Sequence, residues 1–354
     1  MNSLKIPANT GVLNDIRITI DFFVHKQKIQ LTPSKGWLAR KILFELNGYL
    51  KNPEEGLNDR SDQYKYPRLH FLFHILTAGK LFEKVMIKNK PFLIPNLAHI
   101  QAFRSLNDTE QFFFILRTFW LYCNWEQMQL NADMRGFRLF GIGYTLAEIP
   151  KLKANEKYVI NRTMILENPL LSGLTLIQDM FIHFSYLGWF ELELAPDPYW
   201  KGRDQMESVT LTQAGKDFLT LLVTHRPFDL WNRNYRYYKK GEYGVPLGIE
   251  IDWEKVNEAK TREEARKIID EAKSRVEPFL KAFKLYLPKN ELVNCPDFSI
   301  TKPQPGVYTF KVVLAHDKKI WRRVQVNGEE SLYELHKIIQ ESVNFDNDHL
   351  FAFY

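Results

Sequence analysis

Cysteine is almost absent from the chain. The 354 residues hold only Cys123 and Cys295, far apart and outside any Cys-x-x-Cys or Cys/His ligand spacing. No disulfide framework and no zinc site can be drawn from two such positions, and a reducing cytoplasm fits them best. Long apolar runs are also missing: no stretch approaches the ~18 uninterrupted apolar residues of a membrane span, and the N-terminus lacks a basic stretch leading into an apolar one. Export and membrane contact are therefore not expected. Nucleotide and hydrolase signatures are lacking as well. There is no G-x-x-x-x-G-K-S/T, no G-x-G-x-x-G, no H-E-x-x-H and no nucleophile elbow.

Aromatic residues, by contrast, are plentiful. With 26 Phe, 16 Tyr and 8 Trp, large aromatic cores are expected, and the length calls for two or three domains. The net charge of +6 is mild, so its distribution matters more than its size. It amounts to +6 over residues 1–130, −2 over 131–224, +3 over 225–305 and −1 over 306–354.

Two passages share one order of features. Leu69, Leu72, Phe73 and Leu76 fall at helical spacing and stop at Gly79; Ile177, Phe181 and Phe184 do the same before Gly188. Each then gives a strand, a polar turn, a second strand and a closing amphipathic helix. Helix, hairpin, helix in this order resembles a winged helix. Leu31–Leu50 reads as a helix opening the first unit. Asn107 with Glu110, or Asp108 with Gln111, caps a buried helix opening the second.

Residues 225–295 differ in texture, being aromatic and basic and then helical, with Thr261 and Glu264 as a cap and Pro278 as an interruption. Residues 296–306, with three prolines, read as a linker. Beyond it Tyr308, Phe310, Val312 and Leu314 alternate on one face. Ile320, Val324 and Val326 do so on the next strand, opposite Trp321 and Arg323, and a helix capped by Ser331 and Glu334 follows. This is a β-grasp-like start. The expected class is α+β: a mainly helical N-terminal part of tandem winged-helix-like units (1–130 and 131–224), a helical connecting region (225–295), the linker, and a β-grasp-like α+β module (307–354).

Four motifs in that last module resemble the plasmid Ri ORF-three-like family: Tyr308 to Leu314, Lys319 to Arg323, Leu332 to His336, and Phe345 to Phe353. Residues 27–46 and the winged-helix-like passages are similar to N-terminal extensions of some members. The family also carries a transposon-passenger or resolvase-like label, which implies association with mobile DNA. Members usually continue into a second half with a Y-D-F-G-D-x-W-x-H-like motif. The resemblance therefore implies that a chain stopping at Tyr354 holds part of the domain, with a surface marked by Trp321, Arg322, Arg323, His336, Asp348 and His349.

Strand exchange is not expected. Ser3 is followed by no arginine before Arg17, and none of the nine histidines has Arg three positions later. Asp346, Asp348 and His349 match no established metal spacing, so neither metal nor cofactor is expected. The helices that precede the hairpins are poor in groove-reading residues, offering Arg68, His70 and His74 or Thr175, Gln178 and Asp179. Nucleic-acid contact is better sought at the second hairpin tip (Tyr199, Trp200, Lys201, Arg203) and in Trp231, Arg233, Tyr235, Arg236, Lys239 and Lys240, where basic and aromatic residues interleave. These residues lead to a non-enzymatic, cytoplasmic protein that associates with DNA or RNA. The alternative is a protein-interaction module using winged-helix faces and an exposed C-terminal strand.

Overall fold

A computed structural model describes residues 3–7, 11–130, 142–160, 178–196, 204–242, 245–275, 277–298, 305–328 and 330–345. One compact unit spans Met1–Ser299 and a second Ile300–Tyr354. The class is α+β.

The first unit begins with α1 (Val12–Lys26), whose inner stripe is Val12, Ile16, Ile20 and Phe23. Sequence periodicity does not pick out this helix, because its buried face also carries Asp15 and Thr19. Asp15 is buried against the Arg68 guanidinium at 2.6 Å, and the Thr19 hydroxyl donates to the Asp15 carbonyl. The two-residue strand β1 (Ile29–Gln30) follows.

A helix over Leu31–Leu50 is not what forms. Thr32 closes a turn on Trp37 through backbone and hydroxyl, with Gly36 at φ 60, and the helix α2 covers only Arg40–Asn47. Pro33 and Gly36 help keep the first nine residues, 31–39, out of it.

Next come α3 (Pro67–Ala78), the hairpin β2 (Phe82–Ile87) and β3 (Lys90–Pro95), and α4 (Leu97–Arg104). All eight residues from Leu69 to Leu76 are buried, so α3 has no solvent-facing stripe over two turns. Gly79 ends it with an ordinary φ of −77, and Lys80 takes the left-handed position at φ 58. Glycine is needed here for closeness, since a Cβ would lie 2.9 Å from the Phe114 ring. The helix α5 (Asp108–Arg117) opens on the Asn107/Glu110 capping box and runs into a π-helical turn, Thr118–Tyr122.

The order then repeats with β4 (Lys157–Val159), α6 (Gln178–Tyr186), β5 (Phe190–Pro196), β6 (Asp204–Leu211) and α7 (Gln213–His225). The two sheets have equivalent antiparallel orders, β1-β3-β2 and β4-β6-β5, each adding a short upstream strand to the second hairpin strand. The helices before the hairpins, α3 and α6, pack on one another. His183 stacks on Phe71 at 5.6 Å, and the Arg68 guanidinium lies 4.5 Å from the Tyr186 ring.

Among the helices that follow are α8 (Arg233–Lys240) and α9 (Arg262–Ser274), α9 capped by Thr261. The segment before the second unit returns over α5. The Glu110 carboxylate accepts from the Val293 and Asn294 amides, Arg117 donates to the Cys295 carbonyl, and the Tyr122 hydroxyl donates to Asp297 at 2.6 Å.

The second unit is a hairpin, β7 (Val307–Val313) and β8 (Trp321–Asn327), with one helix, α10 (Leu332–Val343), capped by the Ser331 side chain. Val324 and Val326 are buried against Leu335, with Ile338, Ile339 and Val312 packed around them. The inward alternation read along this strand forms at Val324 and Val326, whereas Ile320 precedes the strand and is exposed.

Candidate nucleic-acid interface

In the basic and aromatic segment 231–240, Trp231 ends a short helix, Phe228–Trp231, and α8 follows after Asn232, and both turn inward some of the residues expected at a surface. Trp231 is buried under the Arg226 guanidinium at 4.7 Å and against Phe279. A Cβ on Gly248 would lie 2.2 Å from its ring. Arg236 is 0% exposed. Its Nε donates to Glu242 at 2.5 Å, and its terminal nitrogens donate to the Leu230, Pro246 and Ile249 carbonyls. Those carbonyls belong to segments without strand partners, and a buried five-donor fork satisfies them. Trp231 and Arg236 thus cannot meet a phosphate or a base, which corrects their assignment as contacts.

Arg233 is half-buried with its guanidinium 4.9 Å from the Tyr122 ring, and Tyr235 is half-buried against Phe228. Lys240 is exposed but lies 3.4 Å from Asp229. The Lys239 side chain, residues Tyr199, Trp200, Lys201 and Arg203, and Asp348 and His349 lie outside the described residues.

In the second unit Trp321 and Arg323 share one face of the hairpin, with Lys311 5.0 Å from the Trp321 ring. Arg322 points to the other face, where its Nε donates to the Ser342 carbonyl at 2.9 Å. The two adjacent arginines therefore form no common patch. His336 is half-buried on α10.

The concentration of charge lies elsewhere, on the first sheet. Residues 26–38 and 80–95, which contain β1, β2 and β3, carry seven lysines (26, 28, 35, 80, 84, 88 and 90) against one carboxylate, Glu83. Their surplus of six equals the net charge of the whole chain. Lys26 is paired with Glu45 at 2.8 Å, and Glu83 accepts from the Asn96 amide. Lys28, Lys35, Lys84, Lys88 and Lys90 are exposed and have no ion pair among the described residues.

Three of these ammonium groups are held over rings: Lys28 at 4.1 Å from Phe92, Lys35 at 4.5 Å from Trp37 and Lys84 at 4.7 Å from Phe73. Each such contact is worth roughly 0.5–1 kcal/mol at an exposed site, enough to bias a flexible stem toward one place. Lys84 is also partly desolvated, which lowers its pKa. Lys88 sits at the hairpin tip at φ 48, followed by Asn89 at φ 62, the pair of left-handed residues that a two-residue hairpin turn requires. Asparagine suits such a position and lysine does not.

The register sets the directions of these side chains. Lys84 lies across from Leu93, which lies across from Ile29. Phe82, Leu93 and Ile29 are buried, so Lys84 shares their face. Lys28 and Lys90 alternate onto the opposite face with Phe92, and a Cβ on Gly36 would lie 3.9 Å from Lys84 Nζ, which brings Lys35 to the Lys84 side. Charge counted per domain does not reveal this patch. Its two segments are far apart in sequence and meet only through the β1–β3 pairing.

Burial lowers the His183 pKa to about 4, raises the Cys295 thiol to about 11 and pushes the Cys123 thiol up further. Among the described residues no cluster of three potential metal ligands occurs, and no helix is long and apolar enough to cross a membrane.

Residues 306–354 match the family described as plasmid pRiA4b ORF-3-like protein, and the matched stretch contains β7, β8 and α10. No curated protein and no solved structure matches the chain.

Proposed function

We propose that the chain is a non-enzymatic, cytoplasmic, nucleic-acid-associated protein of plasmid or mobile-element context, and that its first sheet grips phosphates. One observation carries this reading: five exposed lysines, without ion pairs among the described residues, on the strands of a single three-stranded sheet and in the turns beside them. Six-residue strands at ~3.4 Å per residue and strands ~4.8 Å apart make a sheet about 20 Å by 10 Å. Its cations therefore lie within a couple of Debye lengths of one another, and their mutual repulsion is relieved when a polyanion replaces the salt around them.

The family match of residues 306–354 supports the mobile-element context. On this reading the helix–hairpin–helix passages are winged-helix-like units whose hairpins, rather than their helices, meet the ligand. The second unit is then the β-grasp-like part of the chain.

The test is equilibrium binding of a mixed-sequence DNA duplex to the full chain across salt concentrations. Lys28, Lys84, Lys88 and Lys90 changed together to Gln should remove most of the salt-dependent affinity. Binding that ignores salt, or that survives the fourfold change, would sink the proposal. It would turn attention to a protein partner on the apolar residues exposed in the second unit, among them Tyr308, Phe310 and Trp321.

A further inference from the structure

Building on the phosphate-gripping reading above, we infer that the ligand of the lysine sheet is double-helical nucleic acid, held by both of its phosphate rows and without regard to sequence.

The first ground is the placement of charge. Lys28 and Lys90 leave one face of the sheet, Lys35 and Lys84 lie toward the other, and Lys88 stands at the tip between them. A single strand passing along the open face meets only Lys28, Lys90 and the tip, because the other face is packed on the core. Two phosphate rows flanking one groove meet all five. The sheet is about 10 Å across, and the grooves of a B-form duplex are about 6 and 12 Å wide, so the hairpin edge fits between the rows.

The second ground is what the sheet does not offer. Single strands gain a factor of about 5 to 150 for each base stacked on an aromatic face. Here the aromatic rings beside the lysines are already engaged. Lys28 covers Phe92, Lys35 covers Trp37, Lys84 covers Phe73, and Trp37 and Phe73 are buried.

The third ground concerns sequence. Reading bases requires side chains inside a groove, presented by a helix or ribbon with donors and acceptors on its outer side. The helices preceding both hairpins are buried against one another, with Leu69 to Leu76 of α3 and most of α6 out of solvent. The side chains left to touch the ligand are lysines, which meet phosphates as point charges.

The experiment uses the full chain with four probes. Two are duplexes of about two helical turns (~20 base pairs) with unrelated sequences; the others are one of their single strands and polyglutamate. Five phosphates on a duplex give a log–log salt slope of about −4.5, whereas two or three on a strand give about −2. Between ~50 and ~200 mM salt the duplex affinity should therefore fall roughly 500-fold and the strand affinity roughly 15-fold. The two duplexes should agree within about threefold, since each good base contact would separate them by about 5- to 150-fold.

A strand slope equal to or steeper than the duplex slope, or a preference above about tenfold for one duplex, overturns the inference while leaving phosphate gripping intact. No salt-dependent binding to any nucleic acid, or polyglutamate bound as tightly as duplex, overturns both.

Discussion

Changing Lys88 to Gly should strengthen the fold and weaken the binding at once. Lys88 sits at φ 48 at the tip of the β2–β3 hairpin, where a side chain clashes with its own backbone and glycine does not. Relief of a single left-handed residue is worth about 1 kcal/mol, and glycine's greater freedom in the unfolded chain returns part of that. The expected gain is thus a few tenths to about 1 kcal/mol, seen as a Tm increase of one to a few degrees for a unit of this size.

Lys88 has no ion pair, no ring contact and no side-chain hydrogen bond among the described residues, so the change removes no other interaction. For duplex binding the loss of one phosphate contact lowers the salt slope by ~0.9. It reduces affinity by about 15-fold at ~50 mM salt and about 5-fold at ~0.15 M. Differential scanning fluorimetry and anisotropy titrations on the same preparation read both quantities. An unchanged slope would remove Lys88 from the interface, and a lower Tm would refute the account of the tip.

Arg236→Ala should act in the opposite way. It takes the cation from Glu242 and the side-chain donors from the Pro246 and Ile249 carbonyls, costing about 3–5 kcal/mol of stability by urea denaturation, and leaves the salt slope where it was. Gly215→Ala should also be strongly destabilising, because its Cβ would fall 2.2 Å from the Trp189 carbonyl oxygen, a backbone atom in β-hairpin contact with α7. It should lower Tm more than Gly79→Ala, whose nearest obstacles are 2.9 Å away.

Acid should loosen the α3–α6 interface. His183 is neutral and fully buried with a pKa lowered to about 4, so its contribution is complete above its unfolded pKa of ~6.5 and is lost as pH falls toward 4. Urea midpoints between pH 7 and 4 should drop by the equivalent of up to about 3 kcal/mol. Replacing His183 with Gln should flatten that profile.

Local signals were readable wherever one segment decides its own structure. The Asn107/Glu110 box, the Ser331 and Thr261 caps and the inward valines of β8 form as the residues suggest, because cap geometry and strand alternation depend on near neighbours. The order helix, hairpin, helix is present twice for the same reason.

What escaped depends on distance in sequence. The helix α1 hides behind Asp15, whose partner Arg68 comes much later in the chain. The lysine sheet exists only once β1 reaches β3. Arg236 looked like a surface cation because nothing local tells that the carbonyls of Leu230, Pro246 and Ile249 will close around it. Residues that resemble ligand contacts in composition were thus divided by packing into structural ones and free ones.

The packing of α3 on α6 has a consequence for how the first unit comes apart. Each half supplies one wall of the other half's central helix, with Phe71 closed off by His183 and Tyr186, so neither half's inside is complete alone. A chain cut between them would uncover Phe71 together with the His183 and Tyr186 side of α6 and should be less soluble than the whole. Any change that relaxes one should be felt as a single melting transition of both.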